Sequence, residues 1–166
     1  MATALFITRK QLVQNSILDG NVDTDKFIQF IKIAQEIHIR NYLGTDLYNK
    51  ISTDISASNL TGAYLTLVRT YIQPMLIHYA MADYIPFAAY QIKNGGVFKH
   101  TSENAETVSK NEIDYLVKKE RDIAEYYTRR FIDFMSFNQS SYPEYTSNTN
   151  EDIDPDKDSL FNGWVL

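Results

Sequence analysis

The histidines are the side chains of this chain best suited to acid–base chemistry or metal binding. They are His38, His78 and His100, and no two stand four residues apart with a glutamate between them, as a zinc protease requires. His38 and His78 fall within apolar helical patterns, where a hydrogen-bonded core or interface histidine is the usual outcome. We therefore predict no metal site and no catalytic histidine.

Asp83 is the one carboxylate predicted to lie inside an apolar helix. A buried charge needs a partner, because an unpaired one is strongly destabilising. The arginines that would give it a structural role are Arg69, Arg129 and Arg130. An enzyme using Asp83 together with His78 is the alternative, and it predicts a cleft in which the two groups meet.

Four aspartates alternate late in the chain, as in the first half of a calcium-binding loop: Asp152, Asp154, Asp156 and Asp158. The rest of the calcium pattern is missing. Its sixth position holds Lys157 where a glycine is needed, and its twelfth holds Gly163 where a glutamate is needed. The aspartates therefore predict a solvated acidic spacer.

Composition excludes several other kinds of site. The chain of 166 residues has no cysteine, which removes disulfides, cysteine nucleophiles and thiolate metal ligands. It has neither a Gly-x-Ser-x-Gly nucleophile motif nor a phosphate-binding glycine loop. We expect no enzyme activity and no cofactor.

Charge is concentrated at one end of the chain. The net charge of −5 is carried by the segment from Tyr142 onward, which has six acidic residues and one lysine, so the preceding body is neutral. A neutral body offers no basic surface for gripping nucleic acid. No secretion signal is recognisable, and the apolar stretch 71–92 contains enough polar residues to indicate a buried helix rather than a membrane span.

Capping signals and apolar periodicity predict five helices. Capping boxes at Thr8–Gln11 and Ser109–Glu112 open the first and the last of them. Gly44 ends the second helix, and Pro74 and Pro86 should kink or divide the fourth. The predicted helices run from Thr8 to about Ser16, Thr24 to about Leu43, Thr45 to about Ile55, Asn59 to about Lys93, and Ser109 to about Phe137.

These elements predict an all-α fold. It is a helical bundle with a long central helix, one β-hairpin or extended loop, and an extended C-terminal tail. The helical domain spans residues 1–138, with the projecting hairpin at 96–108. Residues 139–166 form the extended acidic tail, which ends in an apolar docking motif at 160–166.

Inter-subunit contacts are the binding role that these residues favour. Tyrosine is enriched at interfaces, and an apolar motif on a polar tether is costly to leave in water. Core filling by the tyrosines, and folding of the tail back onto its own bundle, are the open alternatives. The candidate contact residues are Tyr90, Tyr115, Tyr126, Val97, Phe98, His100, Phe161, Trp164, Val165 and Leu166.

Several stretches of the sequence are similar to those of a known protein family. The string 34–48 (AQEIHIRNYLGTDLY), the long apolar helix, and the hairpin with its segment 101–106 (TSENAE) are the first of these. The tyrosine-rich last helix and the Asn162-Gly163-Trp164 ending are the others. Together they resemble the head–tail connector, or adaptor, ring proteins of tailed bacteriophages, those of crAss-like phages in particular.

The resemblance implies a homo-oligomeric ring, usually dodecameric, stacked beneath the portal protein and contacting other tail or ring proteins. DNA would pass through its lumen without specific binding, and no membrane would be involved. The expected location is the virion neck, after assembly in the host cytoplasm. A helical module that captures a peptide or small ligand is the alternative, and it predicts a stable monomer or dimer with an internal pocket.

Overall fold

The computed structural model describes residues 4–88, 90–93, 96–99 and 109–158. Within them the chain is mainly helical, which confirms the all-α class. The helices are α1 (Arg9–Gln14), α2 (Thr24–Ala34), α3 (Arg40–Ser56), α4 (Gly62–Leu67), α5 (Gln73–Tyr84), α6 (Lys110–Asn138) and α7 (Pro143–Ser147). Two short strands, β1 (Tyr90–Lys93) and β2 (Gly96–Lys99), lie between α5 and α6.

Helix α5 forms the centre of the bundle. It packs against α2 and against α6, and its side chains are buried in every direction around its axis. Such all-round burial is expected of a helix that is apolar on all faces. Its fully covered residues include Met75, Leu76 and Ala80.

The predicted long helix 59–93 is divided in the structure. Helix α4 leads through a π-helical turn, Val68–Ile72, into α5, and a 3₁₀ turn, Ile85–Phe87, follows. Pro74 stands in the first turn of α5 and Pro86 in the 3₁₀ turn. Since proline cannot donate a backbone hydrogen bond and clashes with the carbonyl four residues earlier, both breaks fall where the prolines require them.

The segment after residue 87 corrects the sequence-based prediction. Residues 90–93 were expected at the end of the central helix, but they form β1, which pairs antiparallel with β2 in the register Tyr90↔Lys99 to Lys93↔Gly96. The strand pair therefore begins earlier than the predicted hairpin at 96–108. Residues 100–108 lie outside the described part of the chain.

Both predicted capping boxes are confirmed. The Thr8 hydroxyl accepts from the Gln11 backbone and Gln11 reaches back to Thr8, at the start of α1. Ser109 and Glu112 make the same pair of bonds at the start of α6. Hydrogen bonds from the Ser109 backbone and side chain lower the pKa of Glu112, because they stabilise its charged form.

Two glutamines hold the segment before α1 against the bundle. Gln35 opens a π-helical turn (Gln35–Ile39) and is fully buried; it accepts from the Phe6 N–H at 2.8 Å and donates to the Ala4 carbonyl at 2.8 Å. Gln73 donates to the Phe6 carbonyl at 2.8 Å. The backbone of this segment is thereby satisfied from two helices while Phe6 enters the core.

The acidic tail is not a solvated spacer over its described part, 139–158. Tyr142 and Tyr145 are 2% and 3% exposed and belong to the core cluster. Residues 148–156, called the strap below, continue along the surface of α3. The composition of this segment indicated an unpacked tether, and that prediction is wrong for these residues.

No described helix is long and apolar enough to cross a membrane. Within the same ranges, no group of three or more potential ligand side chains is placed to hold a metal ion.

Candidate functional site

An exposed apolar row runs along the outer side of α6. The side chains of Tyr115, Ile123, Tyr126 and Phe137, called the α6 stripe, are 60%, 39%, 60% and 87% exposed. At 3.6 residues per turn they fall within about a quarter-turn of one another. Charged residues lie among them on the same side of α6, such as Lys119, whose ammonium is 5.5 Å from the centre of the Tyr115 ring. Exposed aromatic side chains are enriched at protein interfaces.

A second exposed apolar area lies at α2. Ile33 and Ile37, one turn apart, are 43% and 61% exposed. Phe87, in the 3₁₀ turn after α5, is 60% exposed and stacks on Phe30 of α2, with ring centres 5.5 Å apart. Ile33, Ile37 and Phe87 are called the α2 face. Large apolar groups gathered in this way mark contact sites more often than single exposed ones do.

The α6 stripe and the α2 face belong to different sides of the bundle. Helix α5 packs against both α2 and α6, and it is covered all round. The outer surfaces of α2 and α6 therefore point away from α5 in different directions. A single subunit thus has two distinct apolar surfaces that the described residues leave uncovered.

The two described histidines each meet a carboxylate. His38 Nε2 lies 3.3 Å from Asp83 Oδ2, and His78 Nδ1 lies 2.7 Å from Glu120 Oε2. Asp83 therefore lies beside a histidine, within ion-pair distance but without a hydrogen bond to Oδ2 in the described residues, and the predicted partners Arg69, Arg129 and Arg130 are wrong. Asp83 and His78 have separate partners, so the pair required by the enzyme hypothesis is not formed.

Tyrosines connect these pairs to the core. The rings of His38 and Tyr79 stack with centres 4.1 Å apart, and Tyr79 Oη lies 3.1 Å from Thr128 Oγ1. Burial raises the pKa of Tyr42, and the neighbouring Tyr79 raises it further. Burial likewise raises the pKa of Tyr48 to about 12. These hydroxyls remain protonated and serve as hydrogen-bonding groups.

The strap is attached where α3 is interrupted. Gly44 leaves the helical conformation with φ 75° and ψ 164°. The freed Thr45 N–H donates to the Ile153 carbonyl at 2.9 Å, and the Asp156 N–H donates to the Asn41 carbonyl at 2.9 Å. Backbone groups that a helix break would leave unpaired are satisfied by the strap.

Side chains strengthen this attachment. Asp152 accepts from Arg40 at 2.8 Å and from the Thr45 hydroxyl at 2.9 Å. Asp46 accepts from the backbone and hydroxyl of Thr149 and from Asn150. Of the alternating aspartates, Asp152 therefore binds the protein's own α3, and Asp156 accepts from Asn41 of α3 at 3.4 Å.

Residues 39–154 match DUF6712, described as a family of unknown function. The chain belongs to this family. No curated protein matches the chain, and no solved structure matches it either.

The DUF6712 match begins at the start of α3 and ends within the strap. It therefore includes the Gly44 break, α5, the α6 stripe and nearly all of the strap. The segment before α1, together with α1 and α2, lies ahead of it. The α2 face is thus divided, with Phe87 inside the matched range and Ile33 and Ile37 outside it.

The predicted contact residues have different outcomes. Tyr90, Tyr115 and Tyr126 are exposed, and the last two stand together on the α6 stripe. Val97 and Phe98 lie in β2, whose side chains are outside the described part of the structure. Outside the described residues altogether are His100, Phe161, Trp164, Val165 and Leu166.

Sequence reasoning missed Ile33, Ile37 and Phe137 as surface residues, because they stand in apolar helical patterns that also fill the core. For Phe137 a signal was available: it lies 11 residues after Tyr126, hence on the same side of α6.

Proposed function

We propose that this chain is a structural virion protein, one subunit of a head–tail connector (adaptor) ring of a tailed bacteriophage. The observation that carries the proposal is the pair of apolar surfaces, the α6 stripe and the α2 face, that lie on different sides of α5 and that residues 4–88 and 109–158 leave exposed. The resemblance of 34–48 and of the tyrosine-rich helix to connector proteins supports it. The role requires no catalysis.

Two unlike surfaces suit a ring better than a two-fold dimer. A two-fold interface uses the same patch on both subunits, whereas a head-to-tail contact uses two different patches and closes into a ring when the rotation permits. In our proposal the α6 stripe of one subunit packs on the α2 face of the next. Tyr126 and Phe137 supply large apolar area, and tyrosine at the centre of a contact often dominates its energy.

The proposed stoichiometry, location and partners of the ring rest on the resemblance to connector proteins. The ring is proposed to be dodecameric, stacked on the portal protein in the virion neck and in contact with other tail or ring proteins. DNA passes through the lumen without specific binding. The neutral charge of residues 1–141 supports this, since a strongly basic lumen would hold phosphates.

The hairpin and the C-terminal end are proposed as extensions that reach neighbouring subunits. The strap is fixed to α3 as far as Asp156, and the docking motif 160–166 lies outside the described residues. Deleting residues 160–166 is expected to weaken assembly while the bundle stays folded. Assembly of the deleted chain at the wild-type level would remove the docking role.

The ring contact is tested by changing one surface at a time. Tyr126→Asp and Ile37→Asp each place a charge on one of the two surfaces, so each variant alone should lose higher oligomers, measured by mass in solution with and without the portal protein. Both positions are exposed, so the fold should survive. Ile17→Asp, at another exposed isoleucine, is the matched control and should assemble normally.

A mixture of the two variants sharpens the test. The Tyr126→Asp chain retains its α2 face and the Ile37→Asp chain retains its α6 stripe, so one intact contact remains between them. The mixture should form heterodimers and nothing larger. Wild-type protein that stays monomeric even with the portal protein would contradict the ring proposal, and so would a mixture in which no heterodimer forms.

A helical module that binds a peptide or small ligand is the second candidate function. The observation in its favour is a cleft of about 280 Å³ where α1, α5 and α6 meet. A stable monomer that binds a ligand in this cleft is the result expected of such a module.

A further inference from the structure

The cleft is formed by residues from three parts of the chain. Gln11 and Asn15 come from α1 and its end, Arg69 from the π-helical turn before α5, and Tyr127 from α6. Pro74 and Ile77 of α5 contribute the apolar part of the lining. The cleft thus has a polar rim from α1 and the π-helical turn beside an apolar side from α5.

The amide side chains of the cleft are already bonded to the protein. Gln11 Nε2 donates to Gln73 Oε1 at 3.1 Å, and Gln73 Nε2 donates to the Phe6 carbonyl. Asn15 Nδ2 donates to the Gln11 carbonyl at 2.8 Å. These bonds fix the position of the rim before any ligand arrives, which reduces the entropy lost on binding.

One wall is made of stacked rings. The imidazole of His78 and the ring of Tyr127 are nearly parallel, at 6°, with centres 5.7 Å apart. Glu120 holds His78 from behind at 2.7 Å. The wall is therefore rigid, and the carboxylate closest to it is already paired.

Arg69 and the Tyr127 hydroxyl differ from the other polar groups of the lining. Neither forms a hydrogen bond with a residue in the described ranges, and Arg69 forms no ion pair there. Arginine presents a planar set of donors that matches a carboxylate in two parallel hydrogen bonds. The cleft therefore offers a cation and a hydroxyl donor beside an apolar surface.

We propose that this cleft binds a carboxylate attached to a small apolar body. Arg69 holds the carboxylate, Tyr127 donates a further hydrogen bond, and Pro74 and Ile77 contact the apolar part. A volume of about 280 Å³ is just below the usual range for small-molecule sites, so the ligand is about the size of one amino-acid residue. The carboxylate belongs either to a free small molecule or to an acidic side chain of a peptide segment.

The inference rests on the second candidate function and does not require a ring. Its failure would leave the proposed connector contact untouched, because the assembly variants change Tyr126 and Ile37, which do not line the cleft. Loss of ring formation would likewise leave the cleft and its test unchanged.

Titration of the isotope-labelled full chain, followed by nuclear magnetic resonance, tests the site. N-acetyl-leucine should cause saturable shifts in the amide signals of Gln11, Arg69 and Ile77. N-acetyl-leucinamide has the same body without the charge and should cause none. Shifts of equal size with the amide, or no saturable shift with either probe or with the peptide used below, would overturn the proposal.

Substitutions show which side chains carry the binding. Arg69→Gln should weaken binding about tenfold or more, because a charged hydrogen bond is lost, and Tyr127→Phe should weaken it severalfold. Arg121→Gln removes an exposed arginine of α6 outside the lining and should bind as the wild type does. Unchanged affinity in Arg69→Gln would contradict the assignment of the carboxylate to Arg69.

A third probe separates the two sources of the carboxylate. The peptide acetyl-Gly-Glu-Leu-Gly-amide carries a side-chain carboxylate and no terminal one. Tighter binding of this peptide than of N-acetyl-leucine, still dependent on Arg69, assigns the site to an acidic segment of a partner. Tighter binding of N-acetyl-leucine with the same dependence assigns it to a free small carboxylate.

Discussion

Helix α5 and the strap both lie against the rest of the bundle, but they are held by different contacts. Leu76 and its neighbours on α5 are fixed by apolar burial on all sides. The strap is fixed to α3 by backbone hydrogen bonds and by carboxylates that accept from Arg40 and Thr45. Burial is non-directional, whereas the strap contacts depend on the geometry of one glycine. The first region should therefore determine overall stability, and the second should open separately.

The largest effect is expected in α5. Leu76→Ala removes a fully buried side chain and leaves a cavity, so the free energy of unfolding should fall by about 2–5 kcal/mol. Urea unfolding followed by circular dichroism measures it. Ile17→Ala, at a side chain that is 68% exposed, should change the same quantity by less than about 0.5 kcal/mol. Equal losses in the two variants would contradict the central role of α5.

A smaller and more local effect is expected at Gly44. A Cβ there would lie 2.6 Å from Pro155 Cδ, and φ is 75°, so Gly44→Ala should cost about 2–3 kcal/mol and release the strap. Gly62→Ala is the matched control, because φ is 58° there but no atom lies within 4 Å of the added Cβ. It should cost only about 1 kcal/mol.

Hydrogen exchange distinguishes the two glycine variants. The amide protons of Thr45 and Asp156, both bonded across the strap contact, should exchange faster in Gly44→Ala and at the wild-type rate in Gly62→Ala. If both variants leave these amides protected, the strap does not depend on the close approach of Pro155 to Gly44.

The smallest effect on the free energy of unfolding at neutral pH is expected for a substitution of Tyr145. This buried residue belongs to α7, which comes just before the strap. Burial raises the pKa of Tyr145 from 10.0 to about 12. The folded chain therefore keeps its proton to higher pH than the unfolded chain does, and this stabilisation is complete below pH 10 and lost as pH rises toward 12. Tyr145→Phe should reduce the alkaline fall in the free energy of unfolding, measured from pH 8 to 12. An identical profile in both proteins would contradict the buried position of the hydroxyl.

The helical part of the fold was predictable because its signals are local. Thr8 and Ser109 begin helices through side-chain bonds to residues three positions away, and Pro74 and Pro86 divide a helix through their own rings. Gly44 was expected to end a helix, and the backbone does leave the helical conformation there. Such features depend on neighbours in sequence, so they can be recognised without knowing the fold.

The strap was not predictable by the same reasoning, since its contacts join residues more than 100 positions apart. Asp152 stands in a segment whose composition is typical of a solvated spacer. It has partners only because the fold places Arg40 and Thr45 beside it. The partner of Asp83 was missed for a similar reason. Charge complementarity pointed to an arginine, whereas tertiary packing places His38 beside it.

The candidate site was partly visible in the sequence. Tyr115 and Tyr126 were predicted at an interface and are exposed on one side of α6. The cleft was not foreseen, because Gln11, Arg69 and Tyr127 come from separate elements that no periodicity connects.

The strap contact also bears on the order in which the chain folds. It joins residues 41–45 to residues 153–156, so forming it closes a loop of more than 100 residues. Closing so long a loop early would be entropically unfavourable. The part of α3 to which the strap binds also forms only once the chain has turned at Gly44. During synthesis α3 and α5 emerge well before the strap. The helices are therefore expected to assemble first, and docking of the strap to be among the last steps of folding.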